Sequence, residues 1–195
     1  MQRTLSQPAS ATAQTDWLKT YYFTRAAVSV VWIVLAVTVG KAMPMLGAVL
    51  LVLYPAWDAL ANYIDAGKTG GLRSNPTQAL NFGISILTTL AVIAALATQA
   101  FPVLAVFGVW AALSGAFQLA TGVRRWKSGG QWAMVLSGGQ SVLAGLFFVK
   151  MSGAALGLAA ATVAPYAGFG AFYFLISAIW LTVKGRRTRA AGLMA

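Results

Sequence analysis

The chain has 195 residues, of which 59% are hydrophobic and only 9% are charged, and its formal net charge is +11. Soluble domains carry about 25% charged residues, so this composition excludes an ordinary water-soluble protein and leaves lipid as the main solvent. The chain contains no His and no Cys. It therefore lacks the usual proton shuttle, the commonest metal ligand and all thiol chemistry. The sequence predicts no cofactor, no metal site and no catalytic residues.

A polar N-terminal segment precedes the apolar part of the chain. We interpret residues 1–24 as a cytoplasmic tail, with Ser6–Thr15 disordered because its residues are small and polar. The aromatic residues of Trp17–Phe23, next to Lys19 and Arg25, are typical of a helix at the headgroup level of a membrane. This tail is therefore expected to touch the bilayer without crossing it.

Six apolar runs follow the tail, and each predicts one membrane-spanning helix, which needs about 20 apolar residues. They cover approximately residues 26–40, 45–64, 79–97, 103–123, 132–149 and 154–183. The last run is too long for one straight span, so we place its helix at Pro165–Val183 and a short outer helix or loop at Ser152–Ala164. The predicted transmembrane domain is 25–184, and 185–195 form a basic cytoplasmic tail.

The basic residues indicate how the helices are oriented. Lys41 and Lys150 lie at one end of the predicted helices, and the other twelve of the fourteen lie at the opposite end. These twelve are Arg3, Lys19, Arg25, Lys68, Arg73, Arg124, Arg125, Lys127, Lys184, Arg186, Arg187 and Arg189. Cytoplasmic loops carry the excess of Lys and Arg, so both termini are predicted to be cytoplasmic. Because the charges cluster between helices, the expected partners are membrane lipids and not nucleic acid.

Spacing along the chain suggests an internal repeat. The stretches that follow Pro102 and Pro165 align without a gap, so that Trp110 aligns with Tyr173 and Ser114 with Ser177. Pro44 opens the second helix in the same way. Proline is tolerated there because the first helical turn has no intrahelical donor to lose. The predicted fold is all-α, a bundle of six transmembrane helices built as three parallel hairpin repeats. The inverted repeats of many transporters are not indicated.

A family resemblance rests on a set of small and basic residues. A Pro is followed by a helix with the pattern Trp-x-x-x-Ser-Gly that ends in Gly-x-Arg-Arg, and the next helix carries two glycines seven residues apart. These residues are Pro102, Trp110, Ser114, Gly115, Gly122, Arg124, Arg125, Gly138 and Gly145. This pattern, over about 78–187, resembles the short repeat of the HdeD-like (DUF308) membrane proteins. The resemblance implies a non-enzymatic protein of the bacterial inner membrane with a role in acid or envelope stress, and it implies no catalytic residues.

Glycines recur every seven residues on two neighbouring helices. Gly108, Gly115 and Gly122 share one helix face, and Gly138 and Gly145 share a face of the next helix. Small residues let helix backbones approach closely in lipid. We interpret these faces as packing seams within the bundle, and the alternative is a face for a second copy in a homo-oligomer.

Asp58 is the residue that the sequence singles out, because it lies deep within the second predicted helix. An ionisable group at such depth is costly and is a functional candidate by default. Asn62 follows one turn later, and a hairpin turn near residues 41–44 brings Arg25 to about the same level. The leading hypothesis is a structural Arg25–Asp58 ion pair. A solvent-accessible polar cavity and proton handling are the alternatives.

Other intramembrane polar residues leave the function class open. They are Ser114, Gln118, Ser137, Gln140, Ser141 and Ser177. Hydrogen bonds between helices explain them most simply, and a hydrophilic path through the bundle is the alternative. A small transporter or channel, anchored by Asp58, is therefore the second function class. Gly67-Lys68-Thr69 resembles part of a phosphate-binding loop, but a predicted membrane helix precedes it, so nucleotide binding is not expected.

Overall fold

The computed structural model describes residues 7–124, 132–152 and 160–192, and these residues are almost entirely helical. In these ranges the fold consists of six long α-helices, one single-turn α-helix and a 3₁₀ turn at Leu72–Ser74. The α-helices are α1 (Gln7–Val37), α2 (Val39–Ala42), α3 (Pro44–Lys68), α4 (Pro76–Thr98), α5 (Val103–Arg124), α6 (Trp132–Met151) and α7 (Ala160–Gly192). The predicted all-α class is confirmed.

Each of the six long helices contains a stretch long and apolar enough to cross a membrane. Their outer surfaces carry large apolar side chains such as Met45, Leu87 and Leu143, which are 78%, 67% and 69% exposed. A soluble protein rarely exposes a continuous apolar surface of this kind, whereas lipid tails solvate it readily. The chain is a multi-pass membrane protein.

The N-terminal segment differs from the prediction. Helix α1 begins at Gln7, so residues 7–15 are helical where we expected disorder. Pro8 lies in the first turn of α1, where proline is tolerated, and no glycine interrupts the helix before Val37. The Trp17 indole donates a hydrogen bond of 3.1 Å to Asp65 Oδ1. The segment is therefore anchored to α3 by tertiary contacts that the local sequence does not reveal.

The last membrane helix also differs from the prediction. Pro44 is the first residue of α3, and Pro102 directly precedes α5, as predicted. Pro165 instead lies inside α7, which begins at Ala160 and continues to Gly192. Proline at the sixth helical position removes one backbone hydrogen bond near the helix start, a loss that tertiary packing tolerates here. Of the predicted outer segment at 152–164, residues 153–159, including Gly153 and Gly157, lie outside the described residues.

Helix pairing differs from the predicted hairpins. The most extensive helix–helix contacts join α5 to α6, α1 to α7 and α3 to α4. The pairs connected through the predicted outer turns, α1–α3, α4–α5 and α6–α7, are in less contact. Small residues let helix backbones approach closely in lipid, whichever turn connects the helices. The bundle thus consists of three close helix pairs, and the hairpin repeat of the sequence stays a prediction.

The two ends of the bundle have different characters. We call the end that carries Lys19, Lys68 and Arg73 the basic end, and the end that carries Met43 and the turn at 99–102 the distal end. The main apolar core lies towards the distal end. Its members include Trp32, Leu51, Val92, Val103, Phe107, Phe148 and Val163. This core closes the distal half of the bundle, and the polar residues lie between it and the basic end.

Candidate functional site: a polar cavity inside the bundle

A cavity of about 220 Å³ lies among the six long helices. Every long helix contributes to its wall. The polar residues that line it are Arg25, Ser29, Tyr54, Trp57, Asp58, Asn62, Asn81, Trp110, Ser114, Gln118, Ser137, Gln140, Ser141, Tyr166 and Tyr173. So many hydrogen-bonding groups inside an apolar bundle make this cavity the candidate site, since polar groups at membrane depth are costly unless they are satisfied.

Arg25 and Asp58 form an ion pair on the cavity wall. Arg25 Nη2 contacts Asp58 Oδ1, and the two side chains are only 12% and 17% exposed. Because α1 and α3 run in opposite directions from the turn near Met43, the two residues meet at the same depth. The ion pair inferred from the sequence is therefore present. It lies on the wall of a polar cavity, which was one of the two alternatives to a purely structural pair.

The Asp58 carboxylate has three donors. Besides Arg25, Asn62 Nδ2 donates to Oδ2 at 3.0 Å and Ser85 Oγ donates to Oδ2 at 2.8 Å. Asn62 Nδ2 also lies 2.8 Å from the backbone carbonyl of Asp58. Hydrogen bonds to the ionised form stabilise a buried carboxylate. The Asp58 carboxylate thus connects α1, α3 and α4.

The Arg25 guanidinium is also enclosed. Its Nη1 donates to the Tyr21 hydroxyl at 3.0 Å, and its central carbon lies 4.4 Å from the centroid of the Phe174 ring. A cation over an aromatic face is stabilised electrostatically, more strongly when water is excluded. These contacts fix the position of Arg25 between α1 and α7.

Two further hydrogen-bond chains join the helices around the cavity. Trp110 Nε1 on α5 donates to Ser85 Oγ at 3.1 Å, and Ser85 in turn donates to Asp58. Ser141 Oγ on α6 lies 2.8 Å from the Tyr166 hydroxyl and 3.1 Å from the carbonyl of Ala111. Each chain joins helices that belong to different close pairs, so the polar groups both line the cavity and hold the bundle around it.

Four buried side-chain atoms have no hydrogen-bond partner within the described part of the chain. They are Arg25 Nε, Trp57 Nε1, Asn81 Oδ1 and Ser114 Oγ. All four belong to residues that line the cavity. Buried polar groups in native proteins are almost always paired with protein, water or ligand. Because each of these four atoms is itself covered, they are unsatisfied polar groups within the cavity wall.

Glycines position one wall of the cavity. A Cβ atom built on Gly115 would lie 2.6 Å from the carbonyl oxygen of Gly138, and one built on Gly145 would lie 2.5 Å from the carbonyl oxygen of Gly108. Gly122 packs in the same way against Val135. The glycine faces form the seam between α5 and α6, and the close approach places Ser114 and Ser141 on the same cavity.

Sequence reasoning located part of this site. Of the six further intramembrane polar residues that it named, Ser114, Gln118, Ser137, Gln140 and Ser141 line the cavity, whereas Ser177 does not. It missed Ser85, which bonds to Asp58, and several residues of the wall, which are Ser29, Tyr54, Trp57, Asn81, Trp110 and Tyr166. Asn81 and Ser85 are spaced four residues apart in an apolar helix, a polar face that could have indicated a shared environment. Nothing local to Trp110 distinguishes its indole from an aromatic residue in the apolar core.

Asp65 belongs to a separate cluster at the basic end. It accepts from Trp17 Nε1 at 3.1 Å and from Gln78 Nε2 at 3.2 Å, and the Lys68 ammonium lies 5.4 Å from the Trp17 ring centroid. Asp65 and Asp58 therefore serve different networks. Within the described ranges, no three Asp, Glu, His or Cys side chains come together as a metal site would require.

The family comparison covers the centre of the chain. A family model described as "Short repeat of unknown function (DUF308)" matches residues 83–150. No curated protein and no solved structure matches the chain. The matched segment contains every residue on which the resemblance was based, from Pro102 to Gly145. It supplies Trp110, Ser114 and Ser141 to the cavity wall. The match bears out the resemblance to the DUF308 short repeat over residues 83–150, and this segment forms one side of the polar cavity.

Proposed function

We propose that this protein is a non-enzymatic, multi-pass protein of the bacterial inner membrane that binds a small polar solute in its central cavity. The observation that carries the proposal is the cavity of about 220 Å³, whose wall contains four buried polar atoms without a protein partner among the described residues. That volume equals about seven water molecules at about 30 Å³ each. The space accommodates a small metabolite together with ordered water.

The placement of the polar groups supports binding over a purely structural role. Hydrogen bonds between helices explain Ser85, Ser141 and Asp58, because each has a defined partner. They do not explain Trp57 and Ser114, whose donors have no partner among the described residues. A donor left unpaired in a buried site costs about 1–3 kcal/mol. Binding a polar solute offsets this cost.

A transport role is the second candidate, favoured by the position of the cavity. The cavity lies between the apolar core of the distal half and the basic end, partway along the membrane helices. A solute held at this depth has crossed part of the bilayer. Flux of a solute identified by binding, measured in proteoliposomes, tests this role against binding alone.

The physiological setting that we propose is acid or envelope stress, as the resemblance to HdeD-like proteins implies. Survival of a deletion strain after an acid shift, with wild type or Asp58→Asn supplied at matched expression, tests it. Rescue by the wild type supports a stress role. Unchanged survival of the deletion strain would remove the stress role and leave the binding proposal standing.

Binding itself is tested by solute-dependent thermal stabilisation of the purified protein in lipid nanodiscs. We expect solutes from a panel of small polar metabolites to raise the unfolding temperature of the wild type, because a ligand that binds only the folded state stabilises it. Ser114→Val, which places a branched apolar side chain in the cavity, should abolish the shift. Ser177→Val is the matched control, because Ser177 is on a membrane helix outside the cavity, and it should retain the shift. An equal shift in both variants would contradict the proposal.

A further inference from the structure

We infer that the cavity accepts uncharged polar solutes and excludes free ions; the inference rests on the proposed function and specifies the class of solute. It follows from the charges on the wall and from the hydrogen-bonding groups that remain available. Among the described residues that line the cavity, Arg25 and Asp58 are the charged ones.

The two charges are committed to each other. Asp58 already accepts from Arg25, Asn62 and Ser85, so both carboxylate oxygens are occupied. Arg25 uses Nη2 for Asp58 and Nη1 for Tyr21, and the Phe174 ring lies 4.4 Å from its central carbon. Arg25 Nε has no partner among the described residues, but it is covered, and the net charge of the guanidinium is balanced by Asp58. An ion that enters the cavity therefore finds no free counter-charge on these two residues. Burying an ion without a partner is far more costly than burying a neutral polar group.

The groups that remain available are suited to a neutral ligand. Gln118 and Gln140 line the cavity with side-chain amides, each of which has both a donor and an acceptor, and Ser137 lines it with a hydroxyl that can donate or accept. The solute that satisfies them carries carbonyl or hydroxyl acceptors and at least one donor. Amides and polyols have this combination of groups without a net charge.

The cavity walls favour the same class of solute. Aromatic residues line it together with the amides of Asn81, Gln118 and Gln140. Aromatic faces bury the apolar parts of a small polar molecule, while side-chain amides and hydroxyls fix its orientation. This combination provides specificity for shape and hydrogen bonding without a contribution from charge.

The natural absence of Cys makes a direct test possible. Ser114→Cys places a single thiol at the cavity without breaking a hydrogen bond to the described residues, because Ser114 Oγ has no partner among them. Three methanethiosulfonate reagents that differ in charge, with hydroxyethyl, trimethylammonioethyl and sulfonatoethyl groups, then probe it in nanodiscs. Ser74→Cys, at an exposed turn position, calibrates the intrinsic rate of each reagent, and Ser177→Cys reports entry through lipid. Gln118→Cys is the second cavity variant if Ser114→Cys fails to fold.

Each rate is expressed relative to the rate of the same reagent with the Ser74→Cys variant. We expect the neutral reagent to modify the cavity thiol at least tenfold faster than either charged reagent. Equal relative rates for all three reagents would overturn the inference and leave the proposed function intact. The inference would also be overturned if the neutral reagent modified Ser177→Cys as fast as it modified the cavity variant. The reagent would then be reaching both thiols through the lipid.

A fourth outcome would contradict both the inference and the proposed function on which it rests. If the Ser74→Cys variant reacts while neither Ser114→Cys nor Gln118→Cys does, solutes do not reach the cavity. The proposed function then fails together with the inference.

Discussion

At the scale of single residues, Arg25 and Asp58 organise the site. Asp58 accepts from residues on three helices, and Arg25 contacts Tyr21, Asp58 and Phe174. The two charges neutralise each other at membrane depth, which reduces the cost of burying either one. Removing one partner leaves the other uncompensated, and the two removals are not equivalent. The Arg side chain is long enough to extend towards the headgroups, whereas the Asp side chain is not.

We predict that Arg25→Ala lowers the free energy of unfolding by about 3–5 kcal/mol, the loss typical of a broken buried pair. Asp58→Asn should cost less, because Arg25 keeps Tyr21 and Phe174 and can extend towards the basic end. The double variant should recover part of the loss, since it leaves no unpaired charge. Thermal unfolding of all three proteins in the same detergent measures the coupling. Additive losses, or two single variants as stable as the wild type, would show that the pair contributes nothing.

At the scale of helices, glycine positions decide which elements approach most closely. The seam between α5 and α6 joins Gly108 with Gly145 and Gly115 with Gly138 at backbone contact distance. In lipid, van der Waals packing replaces the hydrophobic effect as the force between helices, so a surface without side chains gives the closest approach. This explains why α5 packs most extensively against α6, which follows it in the chain after residues 125–131. Its contact with α4, to which the short turn at 99–102 connects it, is smaller.

Two adjacent glycines of α6 provide a matched test of the seam. A Cβ on Gly138 would lie 2.7 Å from the backbone nitrogen of Leu119, whereas a Cβ on Gly139 would meet nothing within 4 Å. Gly138→Ala should therefore destabilise the bundle by about 1–3 kcal/mol, as overpacking does. Gly139→Ala should be neutral or stabilising by up to about 1 kcal/mol, because alanine is the better helix former. Unfolding in detergent compares the two variants, and equal effects would remove the seam as an explanation.

At the scale of the whole molecule, three close helix pairs surround one cavity. The pair formed by α1 and α7 brings the first and last membrane helices together and closes the bundle. The apolar core seals the distal half, and the Trp17–Asp65 contact anchors the N-terminal segment at the basic end. The cavity therefore lies inside a bundle whose two ends are chemically different.

The basic end determines the predicted orientation of the protein in the membrane. Because cytoplasmic loops carry the excess of Lys and Arg, we predict that this end is cytoplasmic. Ser74→Cys and Ala100→Cys place single thiols in exposed positions beyond opposite ends of α4. In spheroplasts, a membrane-impermeant maleimide should label the Ala100→Cys variant directly and the Ser74→Cys variant only after the membrane is permeabilised. The reverse pattern would contradict the predicted topology. Labelling of both variants in detergent controls for the reactivity of their thiols.

Much of the fold could be predicted from the sequence because lipid imposes simple rules. Apolar runs of about 20 residues, separated by short turns of which every second one is basic, predict six helices irrespective of how they pack. The depth of Asp58 and its proximity to Arg25 followed from helix rise alone. Residues such as Pro165 could not be placed in this way, because a proline that opens a helix and one that lies in its second turn look alike in sequence.

The sequence by itself determined the class of the protein and its membrane helices, because these depend on hydrophobicity and length along one chain. It gave the Arg25–Asp58 pair as a hypothesis, which the structure then showed. Only the tertiary structure decided which helices pair and what the polar residues form. Asn81, Trp57 and Ser114 are ordinary residues when each is taken alone, and they become a site because three helix pairs place them on one cavity. The physical reason is that close packing in lipid depends on matching surfaces from two helices, which no single segment specifies.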